Sequence, residues 1–347
     1  MCSGVPVTSE LASTLCGRVH SFNLNIPGVK TDSQGPEWSP APTVVPFEQV
    51  YVARNSSDTS DSINAALAAG LHVVLTPGVY TLMEPLKVNS EGQVVMGLGL
   101  ATLIPGNGNP LIVVGNVDNV RIAGPLILQA GEKQSPALLQ WGDGTYSGNS
   151  AKPGGLYDLF ARVGGPDYVE VFATSMLRID SGNVFGDNMW LWRADHSVTG
   201  PVMDSRNPVP NGLIVTGDNV NMYGLAVEHT TEDLVQWSGN NGATYFFQSE
   251  LPYDGTQANF GAPGYCGYRV MDNVTAHQGY GVGVYTNFQA GAVTVDSGIV
   301  VPPSLVPSFT APLGVFLNGK GTMNHIIDSF GNKTWYGDPK NNVAYVC

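Results

Sequence analysis

Glu228 and Glu250 lie 22 residues apart, about one coil of a solenoid built from short stacked strands. If their strands are neighbours in register, both carboxylates project from one outward face about 5 Å apart, the distance between strands. Two carboxylates that close repel when both are ionised, so one keeps its proton towards neutrality, as a general acid must. A separation of about 5 Å is that of a retaining glycosidase, and about 6.5–9.5 Å would leave room for the water of an inverting one. Sequence leaves the anomeric outcome and the division of roles open. The plainer reading of either glutamate is an ordinary exposed side chain.

Other candidates gather around the pair. Trp190 and Trp192 offer flat apolar platforms for a sugar ring. In Arg193-Ala194-Asp195-His196, Asp195 is either a third carboxylate or the group that fixes the tautomer of His196. A loop salt-bridge network explains the same four residues. His229 follows Glu228, and Gln248 shares a face with Glu250. Leu251-Pro252-Tyr253-Asp254 leaves that strand through a Pro-fixed turn that aims Tyr253 and Asp254 at the same side. Trp237 is a subsite wall or the cover of a coil corner. The expectation is therefore Glu228, Glu250 and Asp195 as catalytic groups, with Trp192, Arg193, His196, His229, Trp237, Gln248, Tyr253 and Asp254 on the substrate side. Neither a metal nor a cofactor is expected, because His-Glu-x-x-His, clustered Cys/His and calcium-loop patterns are all missing. Stacking of Asp187, Asp195 and Asp204 is the one route to an oxygen-rich site. Gly97-Leu98-Gly99 lacks the following helix that phosphate binding requires.

Elements that bring such residues together must be short and numerous. The 347 residues include 43 Gly and 24 Pro, too many turn formers for a helical fold, while 43% hydrophobic content argues against disorder. A net charge of −13 with only 15 Lys plus Arg argues against nucleic acid and anionic membranes as partners. Neutral polymers remain. No stretch has the length of a membrane span. The start shows no signal peptide, and we expect Met1 to begin a fragment of a secreted protein.

Residues 1–50 read as an extended arm broken by Pro27, Pro36, Pro40, Pro42 and Pro46, and residues 51–347 as one domain. Ser60 to Gly70 predicts a short helix with Ser60 as N-cap, followed by a strand, a Pro77-Gly78 turn and a strand, together a cap for the open end of a solenoid. From Gly92 onward a degenerate repeat appears, a turn ending in Gln93-Val94, Asn119-Val120, Asn183-Val184, Asn219-Val220 or Asn273-Val274 and then a strand. The 36 residues from Asn183 to Asn219 fit one coil with a loop, and the 54 from Asn219 to Asn273 fit two, the hidden one being Ala243–Glu250. Between Asn119 and Asn183 there is room for a coil plus the Gly-rich loop 142–155. The fold class that follows is all-β, a single-stranded right-handed parallel β-helix with a short N-terminal capping helix. Hairpin signatures for a sandwich and long helices for a barrel are both missing.

Strand alternation makes Met189, Leu191, Leu225 and Val227 inward, and Trp190 and Trp192 outward over Ala226 and Glu228. It groups Tyr245, Phe247 and Ser249 on one face and Phe246, Gln248 and Glu250 on the other. Cys2, Cys16, Cys266 and Cys347 allow three pairings. Cys2 to Cys16 and Cys266 to Cys347 would staple the two ends, and buried free thiols are the alternative. Asn55, Asn273 and Asn332 begin glycosylation triplets.

The runs 68–80, 95–103, 190–196, 224–229 and 245–254 resemble the carboxy-terminal half of a family of secreted microbial proteins. These often carry automatic cyclase or coagulation-factor labels. A cyclase is implausible physically, since nothing here cradles a triphosphate. Gln248-Ser249-Glu250-Leu251-Pro252-Tyr253 further resembles a stretch of the glycoside hydrolase family 55 exo-β-1,3-glucanases, which pair two β-helices of the pectate-lyase-like superfamily. That resemblance implies substrate-side roles for Gln248, Glu250 and Tyr253, and the chain departs from it by lacking the amino-terminal β-helix. The leading expectation is a secreted glycoside hydrolase on a neutral polysaccharide such as a β-1,3-glucan. A polysaccharide lyase using Arg193 is one rival. A glycan-binding or structural solenoid, or one half of a two-helix enzyme partnered by a second β-helix domain or chain, is the other.

Overall fold

The computed structural model describes residues 22–30, 41–338 and 342–346. They belong to two units, Met1–Tyr51 and Val52–Cys347. In the first, Asn23–Ile26 pairs antiparallel with Thr43–Pro46. Cys2, Cys16 and Cys347 lie outside the described residues, so the Cys2 to Cys16 bridge does too.

The second unit is a parallel β-helix. Each coil contributes a strand to one sheet and then a strand to another, and successive coils pair in parallel. Val184–Arg193 pairs with Asn221–Glu228, which pairs with Gly242–Glu250, which pairs with His277–Thr286. The second sheet repeats this with Ser175–Ile179, Asn211–Val215, Val235–Trp237 and Tyr268–Val270. Rows of buried Leu, Val and Ile from both sheets fill the interior, as in Leu191, Val227 and Val284. Backbone pairing along the coils satisfies the polar groups that this burial removes from water.

At the amino-terminal end the helix Ser60–Ala68 covers the first coil. Its cap is Thr59 rather than Ser60. Thr59 has an extended backbone and exchanges hydrogen bonds with Ser62 in a capping box, which leaves Ser60 buried as the first helical residue. Asn64 then donates to Pro85 O and accepts from Lys87 N, both at 2.8 Å, filling the edge of the Leu86–Val88 strand. At the other end Val343–Tyr345 and Thr334–Trp335 run antiparallel against the last coil.

Two columns of left-handed residues turn the corners. Gly92, Asn119, Asn183, Asn219 and Asn241 have φ between 55° and 74° and open the strands. Asparagine suits them because its short polar side chain tolerates this region. Asn273 is absent from this column. The coil register continues from Asn241 to Ala276, so the Asn273-Val274 pair lies three residues early, in a separate turn.

The second column is Asp158, Asn188, Gly224, Phe246, Gly281 and Ala311, with φ between 51° and 62°. It bends each long strand and shifts its alternation by one. Tyr245 therefore faces outward, stacked between Tyr223 and Tyr280 at 4.9 Å, instead of sharing the inner face with Phe247 and Ser249. Phe246 is the outlier, a bulky side chain in a left-handed backbone and 70% exposed. Phe246→Asn is expected to stabilise the protein by about 0.5–1 kcal/mol by relieving that strain, measured as a rise in the denaturation midpoint.

Cys266 is a free, fully buried thiol, and its expected partner Cys347 lies outside the described residues. Its Sγ donates to Asp233 at 3.4 Å, and Asp233 is in turn held by Arg269 at 2.6 Å. Burial, and then the Asp233 charge, push the thiol well above its ordinary range. Cys266 should resist alkylation in the native protein and react on unfolding, which peptide mapping of labelled sites will show.

Candidate active site

The site is built on one outward row. In the paired strands, Arg162 sits beside Trp192, Trp192 beside Glu228, Glu228 beside Glu250, and Glu250 beside Tyr285. The row next to it holds Phe160, Trp190, Ala226, Gln248 and Gly283. Each step is about 4.8 Å. Glu228 and Glu250 are thus direct neighbours on adjacent coils, and both are the last residues of their strands.

Each carboxylate has its own donor. Trp190 Nε1 donates to Glu228 Oε2 at 2.9 Å. The Tyr253 hydroxyl donates to Glu250, and Gln248 Nε2 reaches Glu250 Oε1 at 3.4 Å. Burial pushes the Glu228 carboxyl up from 4.5 to about 7, the Glu250 and Asp195 charges add to this, and the Trp190 and Gln248 hydrogen bonds oppose it. Burial and then Glu250 push the Tyr253 hydroxyl up, so it remains a donor. Near neutral pH the row therefore offers a carboxyl that still holds its proton part of the time beside a second carboxyl.

The surroundings close a cavity of about 550 Å³ lined by Arg162, Gly165, Trp190, Trp192, Asp195 to Val198, Glu228, His229, Glu250 and Tyr253. Trp190 and Trp192 lie with ring centroids 5.7 Å apart, and His196 packs 5.2 Å from Trp192. Asp195 accepts from His196 Nδ1 at 2.8 Å and lies 3.9 Å from His229 Nε2. His229 is buried and its ring meets Tyr253 edge-on at 4.4 Å. Burial lowers its pKa, which keeps the ring neutral. Aromatic platforms beside two neighbouring carboxyl groups, one with a raised proton affinity, can bind a sugar and exchange a proton with a glycosidic oxygen.

Three of the expected residues lie elsewhere. Arg193 is 1% exposed and Asp254 is buried with it in a bidentate ion pair at 2.7 and 2.8 Å, so neither touches a ligand in the cavity. Arg193 continues the inward set of Met189 and Leu191, and this alternation was the signal for it. Trp237 is fully buried in the other sheet, packed on Tyr268 and His277. It fills the interior because Val235 and Trp237 share the inner face of their strand. Asp187, Asp195 and Asp204 form no joint site, and among the described residues no group of three acidic, His or Cys side chains could hold a metal.

Sequence reasoning missed Arg162 and the hairpin of His196–Ser197 with Gly200–Pro201. Arg162 is half-buried, lies 5.8 Å over the Trp192 ring and has one hydrogen bond, to Gly164 O at 3.2 Å. A Cβ at Gly165, where φ is +105°, would come within 2.6 Å of Arg162 Nη2 and 3.1 Å of the Trp192 ring, so glycine keeps this wall in place. Arg162→Met should raise KM several-fold on a cleaved glycan and leave kcat within about threefold, because it removes ground-state donors and no proton transfer.

Comparisons with known proteins agree with the fold. A family model described as the LAM55 pectate lyase-like domain matches residues 50–250. An exo-beta-1,3-glucanase of Streptomyces sp. (strain SirexAA-E / ActE) is 37% identical over 322 residues, which are 90% of this chain and 52% of that protein. The solved structure of sacteLam55A from Streptomyces sp. SirexAA-E superposes with a TM-score of 0.86 at 36% identity, covering 94% of this chain and 60% of that one. A variant of sacteLam55A in complex with glucose gives 0.85 at 35% identity, covering 94% and 59%. The chain spans about half the length of the glucanase it matches.

Proposed function

Because the chain belongs to the LAM55 pectate lyase-like family, we propose that it is a glycoside hydrolase of the extracellular space that acts on a neutral β-glucan, with a β-1,3-glucan first among substrates. The observation that carries this is the registered pair Glu228 and Glu250 at adjacent strand ends, with a raised proton affinity at Glu228 and tryptophan platforms one coil away. The pair acts as the acid/base couple, protonating the leaving oxygen and assisting attack at the anomeric carbon. Trp190 and Trp192 hold the ring of the sugar, and Arg162, His196 and Gln248 supply polar contacts. Asp195 assists by holding His196 and adding negative potential at the pair.

The relative named as an exo-beta-1,3-glucanase is about twice as long. That favours a second reading, in which this solenoid is one half of an enzyme whose other β-helix completes the cleft. The lyase reading loses the cation it rested on, since Arg193 is buried and neutralised. The test is a panel of neutral and acidic glycans digested and analysed by mass spectrometry, with the chain alone and joined to any domain that naturally precedes it. Glucose or short glucan oligosaccharides should appear from β-1,3-glucan. Unsaturated products from an acidic glycan, or saturable binding without any product in either form, would sink the hydrolase proposal.

A further inference from the structure

The strands of Glu228 and Glu250 end at those two residues, and ladder-type backbone bonds reach one residue further, from His229 N to Glu250 O at 2.8 Å and from Leu251 N to Tyr285 O at 2.9 Å. Beyond them Tyr253 has a backbone bond from Gln289 N at 2.8 Å, and a further device must set its side chain against Glu250. We propose that the buried Arg193–Asp254 pair is that device, a positioning strut that fixes Tyr253 against Glu250 and so sets how the carboxylate pair shares its proton. This rests on the hydrolase reading above only where turnover is measured.

Arg193 reaches the segments that follow three of the site's strands. It directly follows Trp192. Its Nη1 donates to His229 O at 3.1 Å, on the residue after Glu228. Nη1 and Nη2 donate to the two oxygens of Asp254, one residue after Tyr253. Nε and Nη2 donate to Arg206 O at 3.0 and 2.7 Å, and Asp254 Oδ2 accepts from Ser205 N at 2.8 Å, which binds the 205–207 loop to the same point. Every N–H of the guanidinium lies beside a strand end or loop of the site, and none faces the cavity.

Two further features require such a clamp. His229 has a left-handed backbone at φ 64°, and Ser205 and Asn207 do so at 57° and 54°. Conformations of this kind persist where surrounding contacts over-determine them. The His229 ring, with Nδ1 3.4 Å from Leu251 O, forms the edge contact against which Tyr253 rests. A buried ion pair adds little net stability compared with apolar residues of similar size. Its place directly under the site points to geometry.

The test compares four variants with the wild type. Arg193→Met combined with Asp254→Leu removes the strut without changing net charge. Arg193→Lys keeps the charge and loses the fork. Tyr253→Phe is made alone and in the Arg193→Lys background. Carboxyl titration of ¹³C-labelled glutamates is followed by NMR, with kcat, KM and their pH profiles on a glucan the wild type cleaves. Both strut variants should move the first ionisation of the pair to higher pH and lower kcat at least tenfold with KM within about twofold. Tyr253→Phe should do the same alone and add nothing in the Arg193→Lys background.

Strut variants that fold but keep wild-type titration and kcat would overturn the proposal. So would failure of both to fold, which would make the pair a stability element only. If the wild type cleaves nothing either alone or joined to any domain that naturally precedes it, the hydrolase reading falls, and the titration still decides the role of the strut.

Discussion

Replacing Glu250 or Glu228 by Gln is expected to lower kcat by about 10²–10⁴-fold, the contribution of a positioned proton donor or acceptor. The substitution is isosteric, and the amide can still accept from Trp190 at position 228 or from Tyr253 at position 250. KM should stay within a few-fold, since Trp190, Trp192 and Arg162 are untouched. Steady-state rates on the glucan identified by the panel measure this. Two single variants that both retain wild-type kcat would remove the pair from the mechanism. The wild-type kcat/KM should also fall above about pH 7, because the raised carboxyl at Glu228 loses its proton there.

Glu228→Gln should have an opposite effect on stability. The Glu228 carboxyl is raised from 4.5 to about 7 in the folded protein, so the folded state holds a proton that the unfolded chain gives up. Its contribution is complete below pH 4.5 and is lost as pH rises through about 7, at a cost of up to about 3 kcal/mol. Gln cannot ionise. The variant should therefore denature several degrees above the wild type at pH 9, with the gap closing by pH 5. His277 acts at the other end. Burial lowers its pKa from 6.5 to about 3, so its contribution is complete above 6.5 and is lost as pH falls towards 3. Wild-type stability should peak between these slopes, near pH 5–6.5. Equal alkaline stability of Glu228→Gln and wild type would show that burying Glu228 costs nothing.

Both expectations depend on a register that is legible in the amino-acid sequence. The 22-residue interval and the alternation of Trp190, Leu191 and Trp192 are enough to place Glu228 beside Glu250, because coil length and side-chain alternation are both periodic. Where the pattern misleads, a local event interrupts the period. Phe246 adopts a left-handed backbone that propensity disfavours, and this turns Tyr245 outward. The capping helix begins one residue earlier than its serine suggests because Thr59 and Ser62 satisfy each other. For Arg193 and Trp237, chemical type suggests a cation and an aromatic at a cleft, whereas the alternation of their strands places both inside. Arg162 is hidden because its coil lies in the 64-residue interval between Asn119 and Asn183, where a long loop masks the repeat.

The Asn64 plug at one end and the reversed strands Thr334–Trp335 and Val343–Tyr345 at the other have a bearing on assembly. A stack of parallel rungs is a template that a second molecule could extend indefinitely, as in a fibril. Here Asn64 occupies the edge of Leu86–Val88, and the reversed strands cover Leu313–Phe316 and Gly321–Ile327, so these edges carry elements that no further rung can copy. Concentrating the protein should therefore leave the particles discrete instead of polymerising them through these edges.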